Sequence, residues 1–481
     1  MENREKLSSF FAVLIVGFIF DRVLYAGLQG LGLTIFTLCF VALFYIMLSD
    51  KLKLKNNKRL LLLIPLVIIA IRSSIYNSEP IYCLNLIALP TLVIGTILAL
   101  WYEKVEYYKP KFIGLMLVHI FEHTLNNIST PFKVIKERFS SKENKKIQIK
   151  PQVLTGILIS IPLVLVILIF LSSADEVFNY YASEFFQTIN IFNNQSIVNI
   201  LSHIFVIFVA SVYFFTFFWG ISEKTELEQT SSLSSKIDPI TMSIPVTALN
   251  IIYLFFSIIQ FSYLYGDGTL PVDFTYAEYA RRGFFELVAV TLINFTIIII
   301  GINHTKPCSE KLSSFCKVLY TLLAIFTLNM LYSAHYKMSL YEKSYGYTYL
   351  RVYVHLFMVL LLILIMISMV SIWYKVLNLP KAIVVMTLVF YTFLNIINVD
   401  AFIAKRNIAL YKEKNKIDLV YLTDLSVDAL PYIEEFIKEN PEASSEYIER
   451  KLQEKRSSVS SDNDDFLTRL LKFNINKARI K

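Results

Sequence analysis

The sequence predicts an all-α protein, a polytopic bundle of about eleven transmembrane helices with a small helical C-terminal tail. Apolar residues make up 55% of the 481 residues and charged residues only 17%, whereas about a quarter of a typical soluble domain is charged. The mean hydropathy is +0.55. These values exclude an ordinary soluble enzyme and a disordered chain, and four cysteines are too few for a disulfide scaffold.

Eleven apolar runs are long enough to cross a bilayer core about 30 Å thick. The run 152–172 is the clearest, because it contains no charged residue and one charge at a helix centre costs about 2.5–3.5 kcal/mol on insertion scales. The first run ends in Asp21-Arg22 and lacks a small-residue cleavage pattern, which indicates a signal anchor. The predicted spans are 7–25, 30–48, 60–77, 82–101, 152–172, 197–221, 242–265, 284–302, 315–333, 352–374 and 381–398.

Two polar stretches lie outside these runs. Residues 102–151 form a long connection whose first half is amphipathic, typical of an interfacial helix, and whose second half is basic and hydrophilic. After residue 398 the hydropathy falls, so we expect a transmembrane domain over 1–398 and a helical tail over 399–481. Pro441 and the stretch SSVSSDNDD divide the tail into three predicted helices, at about 427–439, 442–456 and 465–478.

The distribution of lysine and arginine predicts the orientation, because short basic loops stay in the cytoplasm. With the N-terminus placed inside, the inside segments contain 24 of these residues and the outside segments contain 7. The connection 102–151 alone contributes ten. We therefore expect a cytoplasmic N-terminus and, after eleven spans, an extracytoplasmic tail.

Five segments of the chain carry polar and aromatic motifs. They are TYAEYARRGFFELVAV at 275–290, LSSADEVF at 171–178, LYSAHYKMSLYEKSYGYTYLRVYV at 331–354, NVDAFIAKRNIALYKEKNKIDLVYLTDLSVDALP at 398–431 and FLTRLLKFNINKARI at 466–480. Together with a short element at Arg72-Ser73-Ser74, these segments resemble a bacterial membrane family known as a domain of unknown function, numbered 4173 and related to 4153. The resemblance implies a multi-pass protein of the bacterial cytoplasmic (inner) membrane, and it implies no reaction and no ligand.

The motifs adjoin span ends that share one predicted face of the membrane, the outer one. Because the motifs cluster on one face, we expect a ligand- or partner-binding surface there. Pumps and secondary transporters, by contrast, tend to carry their ionisable groups deep within spans. The candidate residues are Arg72, Asp175, Tyr279, Arg281, Arg282, Glu286, His335, Lys337, Arg351, Asp400, Arg406 and Asn407.

Three charged residues of the segment TYAEYARRGFFE are spaced as on one face of a helix. Glu278, Arg282 and Glu286 are spaced by four and stack on one helix face, where the arginine neutralises both carboxylates. This ladder alone explains how charge enters a span. The functional alternative is that Arg281, outside the ladder, faces an anionic ligand such as a lipid headgroup.

The segment 332–351 combines six tyrosines with His335, Lys337, Lys343 and Arg351. One interpretation is the aromatic belt of a membrane interface. The other is a cationic, aromatic-lined pocket for a polar lipid, a sugar or a peptide.

One apparent metal motif is not supported by its surroundings. His119, Glu122 and His123 match the pattern H-x-x-E-H, but no third ligand is evident and the segment lies in the basic connection. We therefore predict no metal and no cofactor. We expect no nucleic acid either, because lysine runs beside a membrane usually face anionic lipid.

Three function classes are compatible with these features. The leading interpretation is a non-enzymatic envelope component, a sensor or scaffold, whose polar outer face binds a lipid-like or protein partner. The second is a permease for a small or amphipathic solute, with Asn250, Gln260 and Asn329 lining its path.

The third class is a membrane-embedded transferase. Its acid–base group would be Asp175, Glu286 or His335, and Arg281 or Arg351 would hold a phosphate. The expected partners of the protein are membrane lipids and an envelope protein or lipid-linked ligand.

Overall fold

The computed structural model describes residues 3–48, 57–139, 171, 175–178, 195–222, 237–260, 284–374, 377–459 and 466–480. Their regular elements are helices, which confirms the predicted all-α class. Within these ranges the β-type pairing is confined to an isolated bridge between Ile237 and Thr305.

Nineteen α-helices are present in the described residues. In chain order they are α1 (Asn3–Tyr25), α2 (Gly30–Leu48), α3 (Leu63–Arg72), α4 (Glu79–Trp101), α5 (Pro110–Leu117), α6 (Thr124–Asn126), α7 (Thr130–Phe139), α8 (Gln195–Ser222), α9 (Pro239–Gln260), α10 (Phe284–His304), α11 (Glu310–Tyr345), α12 (Tyr349–Trp373), α13 (Leu379–Ile396), α14 (Val399–Lys414), α15 (Leu419–Asp424), α16 (Leu430–Glu439), α17 (Glu446–Val459), α18 (Phe466–Leu471) and α19 (Ile475–Ile480). Short 3-10 helices cover Lys58–Leu62, Val427–Ala429 and Pro441–Ala443, and Val118–His123 is a π-helix.

Eight of these helices are long and apolar enough to cross a membrane, namely α2, α4, α8, α9, α10, α11, α12 and α13. Each overlaps a predicted span, and α1 covers the predicted span 7–25. The protein is therefore a helical multi-pass membrane protein, as its hydropathy predicts.

The predicted span 60–77 takes another form. It contains a 3-10 turn and the ten-residue helix α3, which is about 15 Å long at 1.5 Å per residue, half of a bilayer core. At the end of this helix the Ser73 hydroxyl lies 2.9 Å from the carbonyl oxygens of both Ala70 and Gly30, which share its one proton, and such side-chain bonds to the backbone compete with the helix. The predicted span 152–172 lies outside the described residues except for Leu171. The total of eleven spans and the cytoplasmic N-terminus stay predictions.

The chain divides into two compact units. The first contains Met1–Ile75, Leu86–Leu227 and Asn463–Asn474, and the second contains Tyr76–Asn85, Glu228–Asp462 and Ile475–Lys481. Residues 399–459 pack in the second unit, whereas α18 packs in the first. The division into a membrane domain over 1–398 and a tail over 399–481 stays a prediction.

In the first unit, α1 lies against α8 with a small-residue contact. A Cβ built on Gly17 would lie 2.2 Å from Ser211 Oγ, so glycine lets the two helices approach closely. One turn further along α1, the fully buried Asp21 accepts a hydrogen bond from His203 Nδ1, at 3.0 and 2.8 Å to its two oxygens. This charge-assisted contact joins helices that are otherwise apolar.

The end of the chain docks in the same unit. Leu31 N donates to Phe473 O at 3.0 Å, and Asn474 Nδ2 donates to Ser73 O at 3.1 Å. Gly30 has φ +69°, and a Cβ there would lie 2.7 Å from Leu471 O. The terminal motif therefore closes over the start of α2.

The second unit is built on α9 to α13. Polar side chains inside it pair across helices, since an unpaired polar group in lipid costs several kcal/mol, on the order of a full hydrogen bond. Asn250 Nδ2 donates to Leu319 O at 3.0 Å, and Gln260 Nε2 donates to Ser333 Oγ at 2.6 Å. Asn329 Nδ2 donates to Ser257 Oγ at 3.1 Å.

The helices of the tail follow the predicted segments, each with a local start signal. The segment 427–439 is a 3-10 turn followed by α16, and 442–456 is a 3-10 turn followed by α17. The segment 465–478 divides into α18 and α19. Asn398 and Asp418 cap α14 and α15 with their side-chain oxygens.

Candidate binding pocket

The candidate site lies in the second unit, where α11 ends and α12 begins. Gly346 terminates α11 with φ +80°, and its N–H donates to Glu342 O at 2.8 Å. At 36 residues, α11 is about 54 Å long at 1.5 Å per residue, well beyond a bilayer core of about 30 Å. Its end therefore extends past the hydrocarbon layer when its apolar part lies within it.

Asn407 on α14 holds the turn between α11 and α12. Its Oδ1 accepts from Tyr347 N at 2.9 Å, and its Nδ2 donates to Tyr347 O at 2.9 Å. A Cβ on Gly346 would lie 2.4 Å from Asn407 Oδ1. The Asn407 amide thus satisfies both backbone groups of Tyr347. The absence of a side chain at Gly346 leaves space for that amide.

Asp400 forms a buried junction beside this turn. It is fully buried, and its Oδ1 accepts from Tyr349 Oη and from Ser426 N, the latter at 2.8 Å. Tyr349 N in turn donates to Tyr421 Oη at 2.9 Å. The carboxylate therefore ties α12 and α14 to the loop after α15, while its Oδ2 has no hydrogen-bond partner.

Two cations cap the C-terminus of α11. Arg351 Nη1 donates to Tyr345 O at 3.0 Å and to Gly346 O, and its guanidinium lies 4.2 Å from the centre of the Tyr341 ring. Lys414 Nζ donates to Lys343 O. Positive charge is favourable there because the carbonyl end of a helix carries partial negative charge.

These elements enclose a cavity of about 880 Å³, within the size range of small-molecule sites. Its lining includes four tyrosines, Tyr345, Tyr347, Tyr411 and Tyr421. The charged lining residues are the cations Arg351, Lys414 and Lys416 and the acids Asp418 and Glu442. Burial raises the pKa of Tyr347 and of Tyr421, so both phenols keep their protons at neutral pH.

A second polar group lies among α10, α11 and α12. Glu342 is buried, and its Oε2 lies 3.4 Å from His355 Nε2. The rings of His335 and His355 meet edge to face at 4.6 Å between centroids. Lys337 is also buried and is attracted by Glu286. The contacts of this group include one candidate residue, His335, whereas Lys337 is a buried neighbour on the same helix and Glu286 is exposed near the start of α10.

The remaining candidates lie elsewhere. Arg406 is exposed, 5.4 Å from the centre of the Phe402 ring, and Arg72 is buried in the first unit. Asp175 is exposed and accepts from Val177 N and Phe178 N at 2.8 and 3.2 Å, as a helix cap does. Tyr279, Arg281, Arg282 and Glu278 lie outside the described residues, so the predicted ladder and the role of Arg281 stay predictions.

Several lining residues could not be selected from the sequence, among them Gly346, Tyr421 and Lys414. Gly346 had a readable signal, because a glycine between tyrosines after a long helix is typical of a helix C-terminus. Tyr421 and Lys414 had none, since their partners Tyr349 and Lys343 are about 70 positions away in sequence.

The motif H-x-x-E-H proves to be part of a packed π-helix. The carbonyl of Leu115 only accepts, so His119 Nδ1 donates to it at 3.0 Å, and Nε2 then accepts from Tyr102 Oη at 2.9 Å. Burial lowers the pKa of His119 to about 4. Both ring nitrogens are engaged, and within the described ranges no three His, Cys, Asp or Glu side chains gather as metal ligands would.

A family model described as Domain of unknown function (DUF4153) matches residues 60–436. The matched range contains most of the pocket, including Gly346, Arg351, Asn407 and Tyr421. Comparisons with curated proteins and with solved structures gave no significant match. The matched family, 4153, is the one given above as related to 4173. Membership of the family numbered 4173 stays a prediction.

Proposed function

This chain belongs to the DUF4153 family of unknown function, and from that premise we propose that it is a non-enzymatic envelope component that binds a polar, anionic headgroup. The binding site in this proposal is the pocket around Arg351 and Asn407. The observation that carries the proposal is the cavity of about 880 Å³ lined by tyrosines and cations.

The lining selects the chemistry of the ligand. Three cations face two acids, so the pocket carries a net positive charge and favours an anion. Neutral tyrosine hydroxyls and the backbone of the turn offer hydrogen bonds, and the rings offer flat apolar faces. A phosphorylated or carboxylated polyol, such as the head of an anionic lipid or a lipid-linked sugar, combines these features.

The position of the pocket favours a ligand from the membrane. Thr348 lines the cavity, and the next residue, Tyr349, begins a helix able to cross the bilayer. Tyr345 is exposed on the other side of the turn. Tyrosine at the end of a span is typical of the headgroup level, so a headgroup reaches the pocket without leaving the membrane.

Binding at this pocket offers a route to a sensor or scaffold. The residues that line it also hold α14 and α15 against α11 and α12, through Asn407 and Tyr421. A ligand that contacts these side chains changes the energy of docking the tail helices. The surface that the tail presents to a protein partner then depends on whether the pocket is occupied by the ligand.

Of the alternatives, the permease has less support. Asn250, Gln260 and Asn329 each donate a hydrogen bond to a neighbouring helix group, and none of them lines the pocket.

Lys416→Gln tests the proposal. Lys416 is exposed and lines the pocket, so the substitution removes one charge and leaves the hydrogen bonds of Asn407 and Asp400 intact. One cation near an anionic headgroup contributes about 1 kcal/mol, which corresponds to about fivefold in affinity. The matched control is Lys412→Gln, an exposed lysine four residues earlier, on α14 and outside the pocket.

The measurement is calorimetric titration of the full chain in phosphatidylcholine nanodiscs. The probes are short-chain phosphatidylglycerol and soluble glycerol phosphate. We expect the lipid to bind, Lys416→Gln to weaken it about fivefold and Lys412→Gln to leave it unchanged. Equal affinity for glycerol phosphate would assign the site to a free phosphate compound, and absence of binding by both probes would refute the proposal.

A further inference from the structure

The first unit contains a small apolar cavity among α2, α3 and α4. Its volume is about 110 Å³, and apart from Thr96 its lining is built from aliphatic and aromatic residues. Val93, Thr96 and Leu100 on α4 span about 10 Å of helix at 1.5 Å per residue. Tyr45, also in the lining, is exposed, so the cavity opens sideways beside α2.

Thr96 gives this cavity an unusual feature. Its side chain is buried, and its hydroxyl has no hydrogen-bond partner. The other threonines of α2 and α4 each donate to a carbonyl, Thr37 to Leu33 O and Thr91 to Ile87 O four residues back and Thr34 to Ala70 O. An unpaired buried hydroxyl costs about 1–3 kcal/mol, so a ligand with a hydrogen-bond acceptor at this depth would be stabilised.

Positive charge gathers at the end of α4 beside the cavity. Arg59 donates to the carbonyls of Ala99, Tyr102 and Glu103 at 2.6, 3.0 and 2.6 Å, and the next residue, Leu60, lines the cavity. Lys58, Lys104 and Lys109 are exposed in the same region. The acids there are Glu103 and Glu106, and Glu106 pairs with Lys109. Four cations against two acids attract an anion.

We propose that this cavity binds the upper part of one acyl chain of an anionic glycerophospholipid. Thr96 Oγ1 donates to the ester carbonyl, the first methylenes fill the space beside Val93, and the phosphate lies near Lys58 and Lys104. The site belongs to the first unit and is independent of the pocket around Arg351.

The dimensions fit this occupant. A dry cavity of about 150 Å³ holds the six carbons of benzene, so 110 Å³ holds about four methylenes by the same ratio. Thr96 precedes the carbonyls bound by Arg59 by three to seven residues, about 5 to 10 Å along α4. The few covalent bonds between an ester carbonyl and its phosphate cover such a distance. The rest of the chain leaves past Tyr45 into the bilayer.

Native mass spectrometry of the full chain released from nanodiscs tests the proposal. The nanodiscs contain phosphatidylglycerol and phosphatidylcholine with identical chains. We expect two phosphatidylglycerols to stay bound, one at this cavity and one at the pocket around Arg351, each in at least tenfold preference over phosphatidylcholine. Thr96→Phe fills the cavity and should remove one of the two, whereas the control Thr91→Phe makes the same change on the exposed face of the same helix and should retain both.

Gel filtration shows whether Thr96→Phe is folded. If it is not, two further variants test the proposal. Thr96→Val removes only the hydroxyl and should reduce retention severalfold. Lys58→Gln with Lys104→Gln changes exposed side chains only and should remove the preference for the anionic lipid at this cavity. Lys416→Gln should weaken only the lipid at the pocket and leave the one at this cavity bound, which separates the two sites. Retention equal for both lipids, or equal losses in Thr96→Phe and Thr91→Phe, would overturn the proposal.

Discussion

Gly346 offers a sharp test of how the pocket is built. Its φ of +80° and ψ of 178° lie in a region that other residues adopt at a cost of about 1–3 kcal/mol. An added Cβ would lie 2.4 Å from Asn407 Oδ1, so Asn407 would lose two hydrogen bonds to Tyr347, each contributing about 1 kcal/mol. We therefore expect Gly346→Ala to lower the free energy of unfolding by about 3–5 kcal/mol.

The assay is thermal unfolding of the full chain in detergent, followed by circular dichroism. The control is Gly114→Ala, because a Cβ at Gly114 meets nothing within 4 Å and alanine is the better helix former by about 1 kcal/mol. We expect a clear loss of Tm for the first variant and none for the second. Equal transition temperatures would show that the turn does not depend on glycine, and the argument for the Asn407 clamp would fail.

Three further predictions concern His119, the buried contact between Asp21 and His203, and the topology. Because burial lowers the pKa of His119 to about 4, the unfolded state binds more protons between pH 6.5 and 4, and stability should fall by up to about 3 kcal/mol on acidification through this window. His119→Gln should flatten that dependence in unfolding series at several pH values. His203→Ala removes the hydrogen-bond donor of the buried Asp21 and leaves Arg22 Nε, at 3.8 Å, as the nearby cation, so it should lower the free energy of unfolding by about 1–3 kcal/mol. Adding Asp21→Asn should recover part of that loss, and additive losses in thermal unfolding would contradict a direct pair. In a chain without its native cysteines, single cysteines at positions 175, 340 and 435 should react with an impermeant label outside intact cells and one at 145 should not; position 435 is exposed, whereas Leu430 of the same helix is buried. The reverse pattern would refute the predicted orientation.

Most of the membrane helices were predictable because hydropathy is a local property. The run 30–48 coincides with α2, and the run 352–374 differs from α12 by three residues at its start. The tail helices were predictable for a similar reason, since Pro441 and the polar stretch after α17 interrupt helices locally. The shortened α3 was not predicted, because its end depends on how Ser73 bonds to Gly30.

The candidate site was predictable only in part. Arg351, Asp400 and Asn407 are recognisable as polar residues at span ends, and the structure brings all three to one turn. Their roles were not recognisable, because Arg351 and Asn407 form hydrogen bonds to backbone groups that lie in the turn. The second group, around Glu342 and His355, required the pairing of α11 with α12.

The sequence by itself determined what depends on near neighbours, namely which segments are apolar enough for the bilayer, where they end and which loops are basic. Only the tertiary structure decided which distant groups meet. Asp21 and His203 are 182 positions apart, and Tyr347 and Asn407 are 60 apart. The physical reason is that transfer into lipid acts on each segment separately, whereas a hydrogen bond or a cavity depends on the positions of two or more helices at once.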